Sequence, residues 1–167
     1  MASDTLSTLA TLAGAKLKAK GELLVAAESC TGGWVAQAVT SVSGSSDWFE
    51  RGFVCYSNDS KEELLGVSRA ALERHGAVSE ETARAMALGA LRHSKGSISV
   101  AVTGVAGPTG GTPAKPVGMV CFSWANRQGA RSETRRFDGD RKSVRRQSVI
   151  RALQGLIELL DEGDAQV

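Results

Sequence analysis
Residues 23–27, Leu23-Leu24-Val25-Ala26-Ala27, form an apolar run that stops abruptly at Glu28-Ser29-Cys30-Thr31-Gly32-Gly33. A helical pattern then starts near Trp34. A short continuous apolar run bounded by turn residues reads as a buried strand. Strand, small polar turn and helix in that order constrain the fold more than any other feature of the chain. A helix start leaves four N–H groups unpaired and carries partial positive charge. The turn is therefore expected to offer a hydroxyl and several free N–H groups at one place, suited to a phosphate or to the oxyanion of acyl transfer.

The rest of the chain alternates in the same way. Helices are expected over 5–20 (ended by Gly21), 33–41, from Asn58 or Asp59 to Leu65, from Ser68 to His75, from Ser79 to about Lys95, and over about 140–161. Strands are expected over 22–27, 48–56, 97–102, 117–125 and 131–137, with a bulge at Gly52 and a hairpin turning at Asn126-Arg127-Gln128-Gly129. This order predicts an α/β fold, a three-layer α/β/α sandwich on a mixed, mostly parallel sheet of about five strands. With 167 residues, one domain over 1–167 is expected.

Composition excludes several classes. The net charge of +2 and the 5% aromatic content argue against a nucleic-acid partner. No apolar run approaches the roughly 20 residues needed to cross a bilayer, and residues 1–20 lack a signal-peptide core. A cytoplasmic protein with no membrane partner is expected. The three cysteines, Cys30, Cys55 and Cys121, stand apart without CxxC spacing, which argues against disulfides and zinc. No His, Cys and acid cluster has ligand spacing, so neither metal nor cofactor is expected. Small α/β enzymes are commonly symmetric oligomers, and a homo-oligomer is expected.

Ser29 is the leading candidate nucleophile, against the alternative of a helix cap or a phosphate-binding turn. A nucleophilic serine needs a base. His75 falls where a helix should end and His93 in a polar segment, so neither supports a triad. Tyr56-Ser57-Asn58-Asp59-Ser60-Lys61 offers a Ser–Lys pair instead, because strand ends on one side of a sheet converge. Lys61 could act as base only if desolvation or nearby positive charge kept it largely neutral. The alternative is a solvated helix lysine.

The Gly/Pro loop from Thr103 to Pro116 should reach the same edge. Its Gly104, Gly107, Gly110 and Gly111 permit close approach to a ligand; the alternative is a plain connector. Arg141 and Arg145 lie four residues apart on one helix row and could clamp a phosphate, or simply face solvent.

Six motifs in order then carry a family resemblance. They are Ala27-Glu28-Ser29-Cys30-Thr31-Gly32-Gly33; Tyr56, Asn58 and Lys61; Leu65-Gly66-Val67; Gly76-Ala77-Val78-Ser79; Thr103 through Gly111; and Lys115-Pro116-Val117-Gly118. Over about residues 5–160 the chain resembles the CinA C-terminal domain family, whose enzymatic members are nicotinamide mononucleotide amidases. The resemblance implies hydrolysis of that nucleotide's carboxamide to nicotinate mononucleotide and ammonia, in pyridine-nucleotide salvage. It implies Ser29 as nucleophile, Tyr56 and Lys61 as its activating partners, and Cys30, Thr31, Gly32 and Gly33 as the nucleophile loop. Thr103, Gly104 and the following loop with Gly107 resemble the substrate-facing segment. The chain resembles the stand-alone form of the family, without the additional N-terminal domain of many relatives. Thr112-Pro113-Ala114 is a less common filling of the loop and bears on substrate fit. Two other functions stay open: a nucleotide-binding module without turnover, and an amidase acting on another small amide.

Overall fold
The computed structural model describes residues 3–162. Five strands form one sheet in the order β2-β1-β3-β4-β5: β1 Leu24–Glu28, β2 Phe49–Val54, β3 Ile98–Gly104, β4 Met119–Asn126 and β5 Gly129–Arg136. The pairs β1–β2 and β1–β3 are parallel, while β3–β4 and β4–β5 are antiparallel. Only β4 runs against the others, so the sheet is mixed with mostly parallel strand directions.

The helices are α1 Ser3–Lys20, α2 Trp34–Thr40, α3 Asn58–Leu65, α4 Arg69–His75, α5 Glu80–Arg92 and α6 Arg141–Glu162. Side chains alternate across a sheet, and β1 shows this directly. Leu24 and Ala26 join one core with α1, α2 and α6, whereas Val25 and Ala27 join a second with α3, α4 and α5. Both faces are therefore covered, which explains why β1 and β3 read as unbroken apolar runs.

Three local expectations shift. Helix α3 is capped by Ser57, whose hydroxyl accepts from the Ser60 N–H at 3.0 Å, rather than by Asn58 or Asp59. Helix α5 ends at Arg92, short of Lys95, where the Ser94 hydroxyl donates back to the Ala90 carbonyl. The register shift between β1 and β2 falls between Leu24 and Val25, opposite Phe49 and Arg51, so Glu50 is the extra residue and Gly52 pairs regularly with Ala26. Gly52 instead admits α2: a Cβ there would lie 3.4 Å from that of Ala36.

The path from β1 to β2 runs through α2 on one face, and the path from β2 to β3 runs through α3–α5 on the other. The C-terminal ends of these three parallel strands thus open into a crevice, the usual ligand position in open α/β sheets.

Candidate active site
Ser29 leaves β1 at that crevice. Its N–H donates to the Val102 carbonyl of β3 at 2.9 Å, and the Glu28 carbonyl accepts from the Cys55 N–H at 2.8 Å. The loop's base is thus pinned to both neighbouring strands. Within the loop, the Gly32 N–H donates to the Ser29 carbonyl and the Trp34 N–H to the Thr31 carbonyl, both at 3.0 Å. Gly32 and Gly33 take φ of 59° and 103°, left-handed values that suit glycine.

Lys61 arrives from α3. It shares a helix face with Leu65, and both are buried, Lys61 at 1% exposure. Its Nζ lies 3.2 Å from Ser29 Oγ, 3.1 Å from the Cys55 carbonyl and 3.3 Å from the Tyr56 carbonyl. All three of these partners are neutral oxygens. Burial holds the ammonium below the ordinary lysine value. The lysine is buried, faces a serine and has its pKa shifted in the direction that a Ser–Lys pair needs.

Helix α2 does not present its N-terminus to a ligand as the sequence suggests. The fully buried Glu28 carboxylate accepts from the Thr31 hydroxyl at 2.6 Å and from the Val35 and Ala36 N–H groups at 2.8 and 3.0 Å. Sequence reasoning missed this role because the acceptor precedes the helix by several residues, outside any capping-box spacing. Donors for an oxyanion are left to the loop itself. Among the described residues, the N–H groups of Cys30, Thr31 and Gly33 have no main-chain acceptor.

The family model for the CinA C-terminal domain matches residues 6–160. The chain belongs to the CinA C-terminal domain family. It is 51% identical over 156 residues to the nicotinamide-nucleotide amidohydrolase PncC of Pseudomonas putida, covering 93% of this chain and 98% of that one. It is 49% identical to the protein of the same name from Escherichia coli K12, covering 93% and 95%. The competence/damage inducible protein CihA from Agrobacterium tumefaciens has a similar crystal structure, with TM-score 0.90 and 43% identity over 93% of this chain and 95% of that one. A CinA superfamily protein from Klebsiella pneumoniae 700603 superposes with TM-score 0.91 at 35% identity, over 94% and 98%.

The other family motifs surround the Ser29–Lys61 pair in different roles from those first suggested by their side chains. Tyr56 meets Lys61 through its carbonyl, while its exposed phenol oxygen accepts from Arg141 Nη2 at 3.2 Å. Arg141 Nη1 also donates to the Gly107 carbonyl at 2.8 Å, bridging Tyr56 and the Gly/Pro loop. The hydroxyl of Thr103 is occupied by the Ala77 carbonyl at 2.8 Å, which ties β3 to the segment before α5. Gly104 serves packing: a Cβ there would lie 2.8 Å from the Met119 carbonyl oxygen. Gly107 sits at φ 80°, against Val117.

Arg145 does not pair with Arg141 as a two-armed clamp. Its Nε and Nη2 donate to the carbonyls of Cys30 and Thr31 at 3.0 and 3.1 Å. His75 reaches Glu81 at 3.9 Å, and His93 closes α5, so neither histidine serves Ser29. Burial pushes the Cys30 thiol up to about 12, which makes it an inert packing group. A cavity of about 550 Å³ lies at the far end of the sheet, around Glu22, Ser97 and Asn126, and includes none of these residues. No helix among the described residues is long and apolar enough to cross a membrane.

Proposed function
We propose that this protein hydrolyses the carboxamide of nicotinamide mononucleotide, giving nicotinate mononucleotide and ammonia, through a Ser29 acyl-enzyme with Lys61 as base. The observation that carries the reading is the buried Lys61 Nζ, 3.2 Å from Ser29 Oγ with two carbonyls as its other partners. The names of the relatives in Pseudomonas putida and Escherichia coli supply the substrate.

A neutral amine has two N–H donors and one lone pair. The Cys55 and Tyr56 carbonyls take the two donors, so the lone pair is left for the Ser29 hydroxyl. Ser29 Oγ attacks the amide carbon while its proton passes to Lys61. The oxyanion that forms is held by loop N–H groups, for which Cys30, Thr31 and Gly33 are the available donors. The C–N bond then breaks and ammonia departs with the proton from Lys61. Water attacks the ester, Lys61 takes its proton, and the C–O bond to Ser29 breaks as that proton returns to Oγ. Arg141, between Tyr56 and the Gly107 loop, is suited to the substrate's phosphate once its present acceptors give way. This reading places the protein in cytoplasmic pyridine-nucleotide salvage.

Product analysis tests it. Wild-type protein incubated with nicotinamide mononucleotide should release ammonia and nicotinate mononucleotide in a one-to-one ratio. Binding of the nucleotide without either product would favour a binding module and refute the enzyme.

A further inference from the structure
Arg141 and Arg145 stand one helical turn apart on α6, yet their guanidinium groups carry different loads. Arg141 reaches outward, to an exposed phenol and a loop carbonyl. Arg145 reaches inward, to two consecutive carbonyls of the nucleophile loop, and its guanidinium carbon lies 5.6 Å from the ring centroid of Trp34, which opens α2. We propose that Arg145 is a positioning residue that sets the oxyanion donors through the peptide planes of the loop, and that it does not bind the substrate's phosphate. The inference rests on the reading of Ser29 as nucleophile.

A trans peptide is planar, so fixing its carbonyl fixes the N–H on the opposite side. Arg145 Nη2 holds the Thr31 carbonyl and thereby orients the Gly32 N–H of the same plane. That N–H donates to the Ser29 carbonyl at 3.0 Å. The Ser29 carbonyl belongs to the plane that carries the Cys30 N–H, the donor immediately after the nucleophile. Arg145 Nε holds the intervening plane by the Cys30 carbonyl. The chain of control therefore runs from Arg145 through Thr31, Gly32 and Ser29 to the Cys30 N–H. A planar fork suits two neighbouring carbonyls, whereas a lysine ammonium offers a single point. Gly32 sits under the fork, where a Cβ would come within 3.4 Å of Nη2.

The experiment compares wild type, Arg145→Lys and Arg145→Gln. Diisopropyl fluorophosphate first titrates reactive Ser29, with labelling located by mass spectrometry, so each rate is expressed per competent site and a misfolded fraction drops out. kcat and KM are then measured on nicotinamide mononucleotide and on nicotinamide riboside, which has the same carboxamide and no phosphate. The expected result is a kcat lower by about tenfold or more on the nucleotide with KM within about twofold, and a slower diisopropylphosphorylation of Ser29. Loss of one oxyanion donor costs ~10²–10³ in kcat, and a displaced donor forfeits part of that. The same factor should appear on the riboside wherever that substrate turns over. A KM rise confined to the nucleotide, or diisopropylphosphorylation at the wild-type rate in both variants, overturns the inference. Wild type that is labelled at Ser29 but releases no ammonia refutes the proposed substrate alone, and the labelling rates still decide the role of Arg145. Wild type that is not labelled at Ser29 overturns both.

Discussion

Replacing Glu28 with glutamine isolates what the buried carboxylate does. The side chain keeps its size and shape, so packing at the end of β1 is unchanged. Three donors converge on Glu28: the Thr31 hydroxyl and the N–H groups of Val35 and Ala36. A glutamine amide has one acceptor oxygen and one NH2 group. With the oxygen at the Oε1 position, Thr31 and Val35 keep their acceptor while the NH2 faces the Ala36 N–H, donor against donor. With the amide turned over, Val35 loses its acceptor instead, and only the Thr31 hydroxyl can rotate to compensate. One α2 donor is orphaned either way. A hydrogen bond to a charged group contributes about 1.5–3 kcal/mol, and an unsatisfied buried donor costs about 1–3 kcal/mol. These overlap, so Glu28→Gln should destabilise the fold by about 2–4 kcal/mol. For a chain of this size each kcal/mol moves Tm by about 2–4 °C. Calorimetry should therefore show a fall of roughly 5–15 °C, with a lower kcat because the loop of Ser29 is anchored by the same carboxylate. A Tm within about 1 °C of wild type, with unchanged kcat, would refute the bracing role.

Three further outcomes follow from the same geometry. Burial lowers the Lys61 pKa and the neutral amine is the base, so kcat/KM should rise with pH along a limb centred below the ordinary lysine value of 10.5; a limb at 10.5, or activity falling as pH rises, would contradict this. Arg141→Ala should raise KM for nicotinamide mononucleotide about 10- to 100-fold, the equivalent of about 1.5–3 kcal/mol for a charge-assisted bond, with kcat largely retained; unchanged KM removes Arg141 from phosphate binding. Gly89→Ala places a Cβ 2.0 Å from the Leu65 carbonyl oxygen at the end of α3, so despite better helix propensity it should destabilise by about 1–3 kcal/mol and lower activity by moving Lys61. A melting temperature equal to or above wild type would show that α5 does not press on α3 there.

The sequence made the sheet legible because β1 and β3 are covered on both faces and leave apolar runs, while β4 and β5 are separated by a short polar turn that marks a hairpin. The proximity of Ser29 and Lys61 was legible from the convergence of strand ends, but the burial of Lys61 was not, since a lysine on a short polar helix reads equally well as a solvated side chain. The cap of α3 was not, since Ser57, Asn58 and Asp59 are all good capping residues and only the chain's entry angle selects the first. Glu28 and Arg145 escaped for a deeper reason. Both act on main-chain groups, and a carbonyl or N–H has no residue identity in the sequence to pair with. Their charges read equally well as ligands for a substrate until the loop's peptide planes are in place.

The central claim, amide hydrolysis by Ser29 with Lys61 as base, is tested most directly by ammonia release from nicotinamide mononucleotide. Wild type, Ser29→Ala and Lys61→Met should be measured side by side, with folding of each checked by melting. The account predicts release by wild type and loss of at least about a thousandfold in both variants, in line with the cost of removing a member of a catalytic set that acts as a unit. Wild-type rates in a folded Ser29→Ala protein would contradict it.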